Sequence, residues 1–160
     1  VEGLYNLLME ESMKKVTHIE TFIPFLPIPK AYRQFGQRTV LGDKCRKYQT
    51  DVAAFLEDEI TERDLDGYLW AEYMFCMPRK KKSKELFPAV KPDFDNLIKS
   101  TQDCLEIAGI IKNDSRIVWC QASKVFADAA GYDEPGTFMK LGTLQPYTCS
   151  EQDKPLETCS

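Results

Sequence analysis

The stretch "KPDFDNLIKSTQDCLEIAGIIKNDSRI", Lys91 to Ile117, holds a complete piece of local architecture. A proline precedes two aspartates one residue apart, Asp93 and Asp95, and an apolar-periodic run follows at once. Leu97, Ile98, Thr101, Cys104, Leu105 and Ala108 share one side at helical spacing. The spacing predicts a helix through Ala108, with Gly109 as its natural stop. "IIKNDSR" is then a short connection, and Ile117 to Ala127 alternates like a strand.

Working outward, Tyr68 to Met77 is apolar on both faces, which predicts a central, covered strand. Between it and the aspartates lies a basic loop without periodicity, Pro78 to Val90. Upstream, Asp43 is positioned to cap a helix whose apolar positions are Tyr48, Val52, Phe55, Leu56 and Ile60. Val16 to Ile23 reads as a strand, ended by "PFLPIPK", where three prolines forbid a helix. "AYRQFGQRTV" is a turn-rich basic loop with a short strand at Arg38 to Leu41. After the turn "DAAGYDEPG", Thr137 to Leu141 is expected to pair back as a hairpin partner. The expected fold class is α+β: one domain, a mixed sheet of about four or five strands covered by two main helices. Residues 13–145 form that domain, after an N-terminal extension at 1–12 and before a flexible tail at 146–160. "MKKV" from Met13 resembles a natural bacterial start.

Composition narrows the chemistry. The six cysteines are scattered, without a Cys-x-x-Cys pair or histidines at zinc-finger spacing, and read as buried or free thiols of a reducing cytoplasm. The single histidine, His18, removes Ser-His-Asp, Cys-His and polyhistidine metal mechanisms. No apolar run is long enough to span a bilayer. The net charge of −4 is misleading, because residues 1–12 carry −3 and residues 151–160 carry −2, leaving a body of +1 with clumped positive charge. Local patches, not the total, decide whether nucleic acid is a partner.

Asp93 and Asp95 can face the same way if the chain is extended before the helix, and Asp114 lies just beyond the helix's far end. Three such oxygen donors suit Mg2+ or Mn2+, which take phosphate oxygens as further ligands. Lys99, one turn after Asp95, can reach back over the same site. Each residue also has an ordinary reading. An aspartate before a helix is commonly an N-cap, Asp114 is a usual turn residue, and Lys99 alone is a solvated helical lysine. Only the combination points to chemistry.

That combination closely resembles the signature of RusA-type Holliday junction resolvases: Pro-Asp-x-Asp-Asn-x-x-Lys opening a helix, then Gly, then an (Asp/Asn)-Asp-(Ser/Ala)-x-(Ile/Val) turn. Weaker likeness runs from Val16 to Leu141, through "IPFLPIPKAYR", the lysine-rich loop and "EPGTFMKL". The resemblance implies a Mg2+-dependent endodeoxyribonuclease (Mn2+ being a possible substitute) that acts as a homodimer and nicks two opposed strands of a four-way DNA junction. It implies that Asp93, Asp95 and Asp114 hold the metal and that Lys99 is catalytic. Asn113 stands where many members have a first aspartate. Residues Arg79, Lys80, Lys81, Lys82 and Lys84, just upstream of the motif, are candidate DNA contacts, as are Lys30, Arg33 and Arg38. Tyr32 and Phe35, interleaved with the second group, are placed to stack on bases or to pack under the loop. The expected setting is the cytoplasm of a bacterium or a phage-infected bacterial cell. A general branched-DNA or flap nuclease, and a non-catalytic nucleic-acid-binding module, are the competing readings.

Overall fold

The structure is a computed structural model and describes residues 13–79 and 84–146. The predicted N-terminal extension, the tail beyond Pro146, and Lys80, Lys81 and Lys82 therefore lie outside the described residues.

Among the described residues, six strands and two α-helices follow in chain order. They are β1 (Met13–Ile23), β2 (Tyr32–Phe35), β3 (Arg38–Leu41), α1 (Asp43–Glu59), β4 (Leu69–Met77), α2 (Phe94–Ile107), β5 (Ile117–Phe126) and β6 (Gly136–Pro146). The main sheet has the order β1-β6-β4-β5, and β2 and β3 form a separate hairpin. As its double apolarity predicts, β4 is central, pairing with β5 in parallel and with β6 antiparallel.

The expected hairpin between the last two strands is not what forms. Instead, β6 inserts between β1 and β4, antiparallel to both. The reason is the α2 crossover, which lays β5 parallel to β4 and leaves the other side of β4 open. Buried Thr137, Met139, Leu141 and Leu144 then complete the sheet from within. Gly142 permits the close packing there: a Cβ at this position would fall 1.9 Å from the Val16 carbonyl oxygen.

Alternation along β4 sends Leu69, Ala71, Tyr73, Phe75 and Met77 into one core with Val52 and Leu56 of α1 and Leu97, Cys104 and Leu105 of α2. Both helices thus cover the same face, and they also pack on each other. On the opposite face Trp70 is buried beside Trp119, with the Lys15 ammonium 3.2 Å from the Trp119 ring centroid and 3.5 Å from Glu72. Two local expectations are corrected. Asp43 does not cap α1; Gly42 holds that position, and Asp43 is the first helical residue, where its carboxylate suits the helix dipole and pairs with Arg33. The basic segment before β3 is itself a strand, β2. His18 is exposed on β1, its Nε2 lying 2.9 Å from the Thr143 hydroxyl. No helix among the described residues is long and apolar enough to cross a membrane.

Candidate active site

The β4–α2–β5 unit builds the site. Pro92 ends the basic loop, Asp93 takes the N-cap position of α2, and Asp95 lies in its first turn. The Asp93 side chain makes no capping hydrogen bond. Both carboxylates are exposed, and neither accepts a hydrogen bond or ion pair from any described residue. The capping reading of Asp93 therefore fails at the level of its side chain. Two adjacent unpartnered carboxylates repel each other, so the fold retains them without a local structural return.

Packing fixes the segment that carries them. Phe94, between the two aspartates, sets its ring edge-on against Phe75, with centroids 6.4 Å apart and planes at 84°. Phe75 is fully buried on β4. Lys124, on β5, donates from Nζ to the carbonyls of Val90 at 2.6 Å and Pro92 at 3.0 Å. An ammonium thus holds the backbone immediately before Asp93. From the other side, the Lys30 amide donates to the Asn96 carbonyl at 2.9 Å.

The far end of α2 delivers Asp114. Gly109, at φ 69°, closes the helix with its amide bonded to Glu106 O and that of Ile110 to Leu105 O, a Schellman arrangement. The chain then runs beside Leu65, bridged to it at Ile111. Asn113 accepts from the Ser115 amide at 2.8 Å, and the Asp114 amide donates to the Glu106 carboxylate. The returning turn lies alongside the exposed stripe of α2, where the Lys99 ammonium pairs with the Asp114 carboxylate.

Lys99 also pairs with Asp103 at 3.2 Å. The second Asp103 oxygen receives Lys30 Nζ at 2.6 Å and Gln49 Nε2 at 3.1 Å. Burial works against the Lys30 charge, but hydrogen bonds to Asp103 and Tyr32 outweigh it and raise the Lys30 pKa above the ordinary lysine value. Asp103, Gln49 and Lys124 carried no signal in the sequence reading. The i,i+4 spacing of Lys99 and Asp103 is common on any helix surface and does not mark a site by itself.

The other predicted residues are placed variously. Arg33 pairs with Asp43, while Arg38 and Lys84 are exposed. Arg79 pairs with Asp128 at 2.7 Å and lies 4.4 Å from the centre of the Phe126 ring. Its guanidinium holds the Asp128 carboxyl below the usual carboxylate range. Tyr32 is exposed.

For a divalent cation, the donor chemistry fits: Asp93 and Asp95 offer hard oxygens without competing partners. Asp114, the third carboxylate expected from the sequence, is paired with Lys99. Consistently, no three His, Cys, Asp or Glu side chains among the described residues are gathered as a metal cage.

Residues 24–133 match the sequence model of the family described as endodeoxyribonuclease RusA, and the chain belongs to that family. A relative, the crossover junction endodeoxyribonuclease RusA of Aquifex aeolicus (strain VF5), is 24% identical over 108 residues, covering 66% of this chain and 79% of its own.

Proposed function

We propose that this protein is a Holliday junction resolvase, a metal-dependent endodeoxyribonuclease that resolves four-way DNA junctions by paired symmetric nicks. The observation that carries this reading is the exposed, unpartnered Asp93–Asp95 pair at the head of α2, with Lys99 one turn further along the helix and paired with Asp114. Family membership and the activity named for the relative support the substrate and reaction class.

Asp93, Asp95 and Asp114 hold Mg2+, or Mn2+ in its place. When bound, the ion neutralises phosphate oxygens and polarises the phosphodiester toward attack by water. The chain's own residues do the rest. Lys124 and Phe75 hold the Asp93–Asp95 segment in place. Lys99 presents an ammonium where negative charge grows on the phosphate. Arg33, Arg38 and Lys84, with Lys80 to Lys82, supply phosphate contacts along the DNA arms. A homodimer places two such sites about a twofold axis, matching two opposed strands of the junction.

The test is cleavage of a synthetic four-way junction in Mg2+ and in EDTA. Paired nicks in Mg2+ and none in EDTA are expected. Cutting in EDTA overturns the metal mechanism, and equal cutting of linear duplex overturns the resolvase assignment while leaving a nuclease.

A further inference from the structure

Asp103 lies outside the carboxylate set assigned to the metal, yet it is the most heavily engaged acid near the site. Three donors from three parts of the chain meet on it: Lys99 from its own helix, Lys30 from the β1–β2 connection and Gln49 from α1. Its side chain is 14% exposed and that of Lys30 19%, while Gln49 is buried. A carboxylate with both oxygens occupied by such donors is a poor candidate for binding a cation. Its geometry suits a different task.

We infer that Asp103 is a positioning residue for Lys99. Lys99 is shared between Asp103 and Asp114, so its ammonium has two carboxylate partners. Asp114 is the partner that must be given up when a cation takes its oxygens. Asp103 then retains the ammonium, within one helical turn and beside the site, instead of releasing a flexible four-carbon side chain to solvent. Lys30 and Gln49 keep the Asp103 carboxylate itself from swinging. A lone i,i+4 pair on a helix surface has little hold on its lysine. The contacts from α1 and from the β1–β2 connection distinguish this one.

This inference rests on the proposed role of Lys99, so the experiment separates the two. Asp103→Asn and the double variant Lys30→Met/Asp103→Asn are compared with the parent for kcat and KM on a four-way junction, junction binding in EDTA and Tm. The Lys99 Cε resonance is also followed, by NMR of the metal-free protein. Asp103→Asn is expected to lose about tenfold to a hundredfold in kcat, with KM and EDTA binding changed less than about twofold on that scale. Its Lys99 resonance shifts. Removing the Lys30 charge as well relieves the unpaired, half-buried ammonium, so the double variant regains Tm but not kcat. Recovery of kcat along with Tm would make Asp103 merely the counter-ion of Lys30 and overturn the inference, as would an unmoved Lys99 resonance in Asp103→Asn. If the parent protein leaves junctions intact, the proposed function fails, and the Lys99 resonance still decides the positioning claim.

Discussion

Asp95→Asn is expected to lower junction cleavage by about three orders of magnitude while junction binding persists. Asp95 is exposed in the first turn of α2, and no described residue bonds its carboxylate. Folding therefore has little stake in it. The favourable interaction of its charge with the helix dipole accounts for about 1 kcal/mol at most. Asparagine keeps the size and one oxygen but loses the negative charge that a hard cation requires. Removing that charge also reduces repulsion with DNA phosphates, so affinity should hold or rise. Nicking rates and gel-shift affinities in Ca2+ or EDTA check both halves. An unimpaired variant would retire the carboxylate chemistry; a variant that neither binds nor folds would assign Asp95 a structural role.

Phe75→Ala is the largest expected effect on stability. The side chain is fully buried toward the C-terminal end of β4, stacked near Tyr73, and supports the Phe94 ring that stands between the two aspartates. Truncation removes that support and leaves a cavity, at a cost of about 3–5 kcal/mol. Activity should fall further than the unfolded fraction accounts for, because the Asp93–Asp95 segment loses its anchor. Chemical denaturation, paired with cleavage at a temperature where the variant is folded, separates the two effects. Retention of full activity in the folded variant would show that Phe94 does not position the aspartates.

The parts of this fold that depend on nearby residues were legible in the chain. Val52 and Leu56, or Leu97, Cys104 and Leu105, declare helices by spacing alone, and the apolar run of β4 declares a central strand. The place of β6 was not legible, because its alternation is the same whether it pairs with β5 or enters between β1 and β4. Only the parallel crossover through α2 decides that. Asp43 looked like a cap because its residue type favours one, while Gly42 does that work with backbone geometry. At the site, the aspartates and Lys99 stood out through their spacing and family likeness. Lys124 and Gln49 did not, since each reaches its partner across the fold. Lys30 was legible only as a positive charge, and the structure gives that charge a half-buried carboxylate partner.

Asp93, Asp95 and Asp114 are expected to close together on divalent metal, with Lys99 displaced onto Asp103. Crystals soaked in Mn2+ and measured at the manganese absorption edge test it most directly. An anomalous peak touching all three carboxylates is expected, with the Lys99 ammonium on Asp103. A peak at other residues, or Lys99 still seated on Asp114 with manganese bound, would contradict it.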